Sequence, residues 1–295
     1  MTTDVRERPE VAELEELARQ ARVAIVKAIA NAKGGHLGGP LSATDMLTAL
    51  YWGILNIRPD EPMWPERDRF VLSKGHSSIA LYAVMALRGY LPMEELYTFD
   101  AIDSRLQGHP DMTSLPGIDM SSGSLGLGFS GALGIAFGAK ATGADFTTYA
   151  MIGDGECNEG IVWEAAHVAN RYRLNNIIAI IDHNKLQQFG WRGDAADHRI
   201  PPYTGSELVD RWASFGWHTV EVDGHDIGAF LGVMDSVQGA DGPVAVIAHT
   251  VKGKGVSYME NVFQWHAKVP TDEELAIALT ELGEKPGDGE GGADV

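Results

Sequence analysis

Apolar residues near the start of the chain recur with the spacing of one helix face. Between positions 11 and 32 they return every three or four residues, and Gly34 and Gly35 end the pattern. This segment is predicted to be an amphipathic helix. A second apolar run of helical length covers residues 46–55, and Ser42 followed three positions later by Asp45 resembles a capping box before it.

Further along, short apolar runs alternate with stretches of helical spacing. Such alternation is typical of βαβ units around a mainly parallel sheet that carries helices on both faces. The predicted fold class is therefore α/β. The predicted strands are residues 70–72, 147–152, 177–181, 217–222 and 244–248.

Polar clusters follow four of these five runs. They are residues 73–76, 153–155, 182–184 and 249–253. Open α/β sheets bind their ligands at the carboxyl ends of the strands, and in a parallel sheet these ends share one edge. The sequence therefore predicts a single polar site at that edge.

The composition of the chain argues against several classes of protein. A formal net charge of -18 argues against a nucleic-acid binder, because such proteins neutralise phosphates with clustered Lys and Arg. The single cysteine, Cys157, excludes an intrachain disulfide and a cysteine-based zinc site, and suits a reducing compartment such as the cytoplasm. No apolar stretch has the length of a membrane span, and the first ten residues lack the apolar segment of a secretory signal.

The segment Gly153-Asp154-Gly155 is a candidate phosphate and metal site. It follows a predicted strand and precedes a helical stretch at residues 159–173, where backbone amides and a helix N-terminus favour an anion. An isolated Asp-Gly is more often only a turn. Asn184, however, stands thirty residues after Asp154 at the next strand end, and Mg²⁺ prefers oxygen ligands of these kinds.

Four of the ten histidines stand beside glycine, proline or tryptophan in predicted loops: His36, His76, His109 and His266. A lone histidine is more often structural than catalytic. No pair of histidines has the spacing of a zinc site. Residues 123–128 have the wrong glycine order for a dinucleotide fingerprint, and residues 253–255 lack the spacing of a Walker loop.

Seven segments, taken together, resemble the N-terminal part of transketolases in order and spacing. They are AKGGHLGGPLSATD, RDRFVLSKGHSS, GYLPMEEL, LQGHP, DMSSGSLGLGFS, MIGDGECNEG and VDGHD. The resemblance is greatest to the short subunits of split transketolases, and it covers about residues 11–275. It implies a diphosphate-binding domain over 11–275, with an extension at 1–10 before it. The acidic, Gly-rich tail at 276–295 is expected to be disordered.

This resemblance implies thiamine diphosphate as the cofactor, with Mg²⁺ or another divalent cation such as Ca²⁺ or Mn²⁺. It assigns the metal to Asp154, Asn184 and the main-chain carbonyl of Leu186. The residues that it assigns to the cofactor are His76, Gly123, Ser124, Leu125, Gly153, Asp154, Gly155, Glu156, Asn184 and His266.

The implied reaction transfers a two-carbon ketol unit from a ketose phosphate to an aldose. The cofactor carries the difficult chemistry, so the protein positions it, moves protons and excludes water. Imidazoles with a pKa near 6.5 suit proton transfer among sugar hydroxyls, and His36, His109 and His266 are the predicted catalytic residues. His183 has no implied role, and His225 is expected to order a loop.

The resemblance also implies a partner. Transketolases activate the cofactor with a glutamate from a second domain, which a chain of this length does not hold. A second subunit with the pyrimidine-binding and C-terminal domains is expected, in an α2β2 heterotetramer, with Glu159 at the interface. Three residues depart from many relatives: Leu127 replaces a glutamine, His249 a lysine and Ala267 a glycine.

Two alternatives remain open. One is a different thiamine-diphosphate enzyme, either like 1-deoxyxylulose-5-phosphate synthase or a decarboxylating two-component system, although His36 and the LQGHP segment favour transketolase. The other is a non-catalytic, regulatory subunit that keeps the cofactor site for assembly. A magnesium-phosphate enzyme such as a kinase lacks support, because neither a Walker loop nor a kinase loop is present.

Overall fold

A five-stranded parallel sheet forms the centre of the molecule, with strand order β1-β2-β3-β5-β4. The computed structural model describes residues 8–187 and 204–284. The α/β prediction and all five strand positions are confirmed, within one or two residues at the ends. The strands are β1 (Arg69–Leu72), β2 (Thr148–Gly153), β3 (Ile177–His183), β4 (His218–Asp223) and β5 (Val244–His249).

Helices cover both faces of this sheet and create two hydrophobic clusters. In β1, Phe70 and Leu72 belong to one cluster and Val71 to the other, as the alternation of side chains along a strand requires. Burial on both faces explains why β2, β3 and β5 are largely apolar, whereas the edge strand β4 is partly exposed and more polar. The helices are α1 (Val11–Ala32), α2 (Gly38–Ala49), α3 (Ser78–Arg88), α4 (Leu127–Thr142), α5 (Gly160–Arg171), α6 (Gly205–Ser214), α7 (Ile227–Ser236) and α8 (Asp272–Glu281).

The first predicted helix is confirmed at both ends, because α1 ends at Ala32 and Lys33 adopts a left-handed backbone with φ of 53°. The capping-box prediction for Ser42 is wrong. Helix α2 begins four residues earlier, at Gly38, and Ser42 is buried inside it with its hydroxyl on the Asp182 carboxylate. Buried polar contacts with the sheet therefore outweigh the local signal.

The second apolar run, at residues 46–55, is also divided differently from the prediction. Helix α2 ends at Ala49, and a π-helical turn follows over Leu50–Ile54. All of α2 is buried, so packing on every side decides where this helix begins and ends.

The end of the described chain packs on α1. Arg19 donates a hydrogen bond to the Leu282 carbonyl at 2.7 Å, and Lys27 pairs with Glu284 at 2.8 Å. The proposed boundary at residue 275 falls inside α8. Most of the predicted extension and tail, residues 1–7 and 285–295, lies outside the described residues. In the two ranges that are described, no helix is both long and apolar enough to cross a membrane.

A network of buried charges lies at the amino end of the sheet. The Asp119 carboxylate accepts two hydrogen bonds from Arg67, at 2.9 and 2.6 Å, and one from the Phe70 amide at 2.9 Å. Burial alone would lower the pKa of Arg67, but the hydrogen bond and charge of Asp119 outweigh it and the pKa is raised. This network joins the segment before β1 to the loop before α4.

Candidate active site

A cavity of about 430 Å³ opens at the carboxyl edge of the sheet, where the sequence predicts the site. The segments that follow β1, β2, β3 and β5 all contribute to its wall. Ser124 is exposed and does not line the cavity. The predicted site residues that line the cavity are His36, His76, His109, Gly123, Leu125, Gly153, Asp154, Gly155, Glu156, Asn184, Leu186 and His266.

The three predicted metal ligands lie together on neighbouring strand ends. Asp154 is buried, and one of its carboxylate oxygens accepts a hydrogen bond from the Lys185 amide at 2.7 Å. Lys185 itself has a positive φ of 67°, which turns the chain sharply between Asn184 and Leu186. The Leu186 carbonyl then lies within 3.1 Å of the Lys252 ammonium at the cavity wall.

Electrostatics at Asp154 fit a bound cation. Burial and then the charge of Asp182 raise the pKa of Asp154 to about 6, against the hydrogen bonds from the Lys185 and Gly155 amides. A divalent cation would lower this pKa again and offset the cost of burying the ionised carboxylate. Among the described residues, no group of three or more His, Cys, Asp or Glu side chains is arranged to hold a metal. A site here therefore needs the amide of Asn184, the Leu186 carbonyl and phosphate oxygens as further ligands.

The backbone amides of the Gly153-Asp154-Gly155 segment differ from the expectation. The Gly153 amide donates to Glu156 at 3.1 Å, and the Gly155 amide donates to Asp154 at 2.8 Å. A 3-10 turn over Gly155–Asn158 also separates this segment from α5. The amides predicted to attract a phosphate are thus engaged by carboxylates of the protein.

Lysine side chains, which were not predicted from the sequence, supply positive charge instead. The Lys252 ammonium is buried and contacts His266 Nδ1 at 2.8 Å. Burial and the charge of Lys74 lower the pKa of Lys252 to about 8, against the opposing charges of Asp154 and Asp182. A buried cation without a full counter-charge favours an anionic ligand. Its position at the end of β5, in the cluster at 249–253, was the signal that could have identified it.

Asp182, at the end of β3, is the second group that the sequence did not single out. Its buried carboxylate pairs with Lys74 and accepts hydrogen bonds from Ser42 at 2.6 Å and from Thr250. Burial would raise the pKa of Asp182, but Lys74 and these hydrogen bonds outweigh it and the pKa is lowered. The Asn184 amide also donates to this carboxylate at 3.4 Å, so Asp182 orients a predicted metal ligand.

The four predicted histidines form one cluster. The centroid of the His36 ring lies 5.2 Å from that of His76, 6.2 Å from that of His109 and 5.0 Å from that of His266. Burial, followed by the charge of Lys252, lowers the pKa of His266 to about 3. Burial also lowers the pKa of His36 and lowers that of His76 well below its ordinary value. These three imidazoles are therefore neutral at neutral pH.

The tautomer of His266 follows from its contact with Lys252. An ammonium can only donate, so His266 Nδ1 accepts, and the proton of this neutral ring is on Nε2. His266 therefore keeps an N–H donor at Nε2. It has the form that a hydrogen-bond donor to a sugar hydroxyl requires.

The loop before His109 is held by helix α3. The Tyr82 hydroxyl donates to the Gln107 carbonyl at 3.1 Å, and the Ser78 hydroxyl donates to the Gly108 carbonyl at 2.8 Å. Next to this loop, a Cβ at Gly75 would stand 2.7 to 2.9 Å from Ser122 and Gly123, so only glycine allows this approach.

The departures from the transketolase pattern lie around the site. Leu127, the first residue of α4, is 47% exposed. His249 Nε2 contacts Glu221 at 2.8 Å, and its Nδ1 lies 3.1 Å from that of His183, so His183 joins the ends of β3 and β5. Ala267 directly follows His266.

Comparison with known proteins identifies the family. The family model described as "Transketolase, thiamine diphosphate binding domain" matches residues 14–289. The chain is 40% identical to an apulose-4-phosphate transketolase subunit of Phocaeicola vulgatus, over 94% of this chain and 96% of that protein. It is 43% identical to the 6-deoxy-6-sulfo-D-fructose transketolase subunit SqwG of Clostridium sp. (strain MSTE9), over 86% of this chain and 90% of that protein.

Solved structures agree with these matches. The transketolase of Campylobacter jejuni superimposes with a TM-score of 0.86 at 30% sequence identity, over 95% of this chain. The aligned part is 44% of the Campylobacter chain. The chain therefore belongs to the transketolase family, in which it corresponds to the thiamine-diphosphate-binding domain and matches separate transketolase subunits over nearly their whole length.

Proposed function

We propose that this chain is the thiamine-diphosphate-binding subunit of a two-subunit transketolase, which transfers a two-carbon ketol unit from a ketose phosphate to an aldose. The observation that supports it most is the convergence of four histidines on a cavity that also holds a buried Asp and an incompletely neutralised Lys. A purely structural set of histidines has no reason to meet at the ligand-binding edge of the sheet.

The side chains of the cavity fit thiamine diphosphate with a divalent cation. Asp154, Asn184 and the Leu186 carbonyl offer oxygen ligands for Mg²⁺, or for Ca²⁺ or Mn²⁺ in its place. Lys252 and His76 offer donors for diphosphate oxygens. When bound, this cofactor supplies the nucleophile and the electron sink for ketol transfer.

In the proposed mechanism, His36, His109 and His266 bind the hydroxyls of the sugar and move protons among them. A neutral ring with one free donor and one free acceptor nitrogen can pass a proton between hydroxyls, whereas His266, whose Nδ1 already accepts from Lys252, contributes its Nε2 donor. Lys252 fixes the donor of His266 at Nε2. The buried wall of the cavity excludes water from the reacting carbons.

A second subunit completes the proposed enzyme. The relatives are named as subunits of transketolases, which implies a partner chain for them. For this chain we propose a partner that carries the pyrimidine-binding and C-terminal domains and the activating glutamate, in an α2β2 assembly located in the cytoplasm. Glu159 is exposed and borders the cavity, which suits its proposed position at the interface.

The test is reconstitution of the chain with its second subunit, sought first in the neighbouring reading frame. The complex is supplied with Mg²⁺ and thiamine diphosphate, and then either with a ketose phosphate and an aldose acceptor or with a 2-oxo acid. Ketol transfer supports the proposal. Release of carbon dioxide without ketol transfer favours the decarboxylating alternative, and the absence of turnover in a complex that binds the cofactor favours a regulatory subunit.

A further inference from the structure

The VDGHD segment at residues 222–226 lies outside the cavity, yet it contacts the turn that carries Lys252. The His225 ring makes two hydrogen bonds in opposite directions. Its Nδ1 lies 2.7 Å from Asp45, on α2, and its Nε2 accepts a hydrogen bond from the Val251 amide at 2.8 Å. His225 therefore connects the helical core to the residue that directly precedes Lys252. Its expected role of ordering a loop is confirmed.

The carboxylate that holds His225 is itself fixed. Arg22, on α1, donates two hydrogen bonds to Asp45, at 2.8 and 2.5 Å, and both side chains are buried. Burial would raise the pKa of Asp45, but the contacts with His225 and Arg22 outweigh it and the pKa is lowered. An ionised carboxylate accepts from Nδ1 and an amide donates to Nε2, so this geometry requires the neutral tautomer of His225 with its proton on Nδ1.

Two neighbours of His225 and Asp45, namely Gly224 and Arg22, pack closely against the two ends of the turn at residues 250–255. A Cβ at Gly224 would stand 2.6 Å from the Thr250 side chain, and a Cβ at Gly255 would stand 3.2 Å from the Arg22 side chain. Between these ends, Gly253 donates to the Gly38 carbonyl at 3.0 Å. The backbone at Lys252 is thus held on both sides, by the hydrogen bond from the Asn261 amide to the Lys252 carbonyl at 3.0 Å and by that from the Val251 amide to His225.

We propose that His225 is a positioning residue for Lys252 and, through Lys252, for His266. The hydrogen bond to Val251 fixes the backbone from which Lys252 extends, and Lys252 in turn contacts the Leu186 carbonyl and His266 Nδ1. These hydrogen bonds form one series, which runs from Arg22 through Asp45 and His225 to the Val251 amide, Lys252 and His266. The series holds a cation at the proposed diphosphate cavity and sets the tautomer of a proposed catalytic histidine. This inference rests on the proposed function, since it assigns Lys252 to the cofactor's diphosphate.

Two substitutions of His225 test whether the acceptor atom for the Val251 amide is what matters, or the imidazole ring as a whole. His225→Gln places an amide oxygen near the position of Nε2 and can still accept from Val251, whereas His225→Asn is too short to do so. A half-buried amide that loses its partner favours local opening of the turn to water. We therefore expect His225→Asn to weaken binding of thiamine diphosphate with Mg²⁺ about tenfold, and His225→Gln to stay within about threefold of wild type.

Hydrogen exchange provides a readout that is independent of the cofactor. In the cofactor-free full chain, the Val251 amide is expected to exchange about tenfold faster in His225→Asn than in wild type, and at a nearly wild-type rate in His225→Gln. His218→Asn, at an exposed histidine on β4, is the matched control and leaves both measurements unchanged. Binding is measured on the complex with the second subunit, and thermal unfolding confirms that each variant is folded.

Three results would overturn this proposal. One is wild-type exchange and wild-type cofactor affinity in His225→Asn. Another is equal weakening in both His225 variants, which would indicate that only the shape of the ring matters. The last needs no variant: ¹⁵N signals that place the proton of wild-type His225 on Nε2. If the wild-type complex binds no thiamine diphosphate, the proposed function fails as well, whereas normal binding with any of these three results refutes the positioning role alone.

Discussion

Two sets of buried charges, Asp119 with Arg67 at the amino end of the sheet and Asp154 with Lys252 at the carboxyl end, differ in how well they are neutralised. At the amino end, the Asp119 carboxylate accepts hydrogen bonds from Arg67 and from the Phe70 amide, and this contact raises the pKa of Arg67. At the carboxyl end, the pKa of Asp154 is raised to about 6 and that of Lys252 is lowered to about 8, so burial disfavours the charged form of both.

This difference shows that burial of charge does not by itself identify a functional site. A buried pair in which each partner satisfies the other stabilises the fold when it is intact. Buried groups whose charged forms are disfavoured are typical of ligand-binding sites, and here they lie where we propose that the cofactor and its cation bind. Substitutions at the amino end should therefore change stability, and those at the carboxyl end should change binding.

The largest expected effect tests the amino end. Asp119→Ala leaves the Arg67 guanidinium buried without its carboxylate, which costs about 3 to 5 kcal/mol of the free energy of unfolding. Urea unfolding measures this loss. Asp103→Ala, at an exposed aspartate, is the control and should cost less than about 0.5 kcal/mol. Weakened binding of thiamine diphosphate by folded Asp119→Ala molecules would break the comparison.

At the carboxyl end, Asp154→Ala removes the one carboxylate among the proposed metal ligands. We expect Mg²⁺-dependent binding of thiamine diphosphate to weaken at least about a hundredfold, or about 2.7 kcal/mol. The free energy of unfolding of the cofactor-free chain should stay equal or rise, because the raised pKa of Asp154 means that its ionised form at neutral pH destabilises the folded chain relative to the unfolded one. Calorimetric titration with and without Mg²⁺ measures the first effect, and unchanged affinity would refute the metal assignment.

Lys252→Met keeps an unbranched side chain that lacks the terminal ammonium, and so removes the charge. Affinity for thiamine diphosphate should fall about tenfold, as the loss of one charged hydrogen bond to phosphate predicts. Stability should not fall, because burial already disfavours the ammonium. Lys254→Met, two residues away and outside the described cavity lining, is the matched control. Equal effects of the two substitutions would show that Lys252 has no specific role.

The smallest effect concerns the loop of His109. Tyr82→Phe removes the hydroxyl that donates to the Gln107 carbonyl, with an expected cost of about 1 kcal/mol in stability. The turnover number should fall several-fold while the affinity for thiamine diphosphate stays within twofold, because the loop carries a proposed catalytic residue. Tyr97→Phe, at an exposed tyrosine, is the control. A wild-type turnover number in Tyr82→Phe would show that His109 does not depend on this contact.

The sequence predicted the parts of the site that depend on strand order. The carboxyl ends of parallel strands share one edge, so the clusters after β1, β2, β3 and β5 had to meet. It did not predict which polar groups pair. Asp182 binds Lys74, which is 108 residues away along the chain, and Ser42, which is 140 residues away, and no local spacing encodes such contacts.

Two local signals failed for a related reason. Ser42 and Asp45 have the spacing of a capping box, but their side chains are used by Asp182 and Arg22 in the core. The amides of Gly153 and Gly155 were expected to attract phosphate, but carboxylates of the protein accept their hydrogen bonds. In the first case distant partners in the fold take the side chains, and in the second the carboxylates of Glu156 and Asp154, three residues and one residue away, take the amides before a phosphate can.

The most direct test of the proposed site is a crystal structure of the complex with the second subunit, thiamine diphosphate and Mn²⁺ in place of Mg²⁺. The anomalous signal of Mn²⁺ locates the metal independently of the protein coordinates. We predict one peak per chain, about 2.0 to 2.3 Å from oxygens of Asp154, Asn184 and the Leu186 carbonyl, with the Lys252 ammonium on the diphosphate. Bound thiamine diphosphate with the Mn²⁺ peak away from Asp154 would contradict this account.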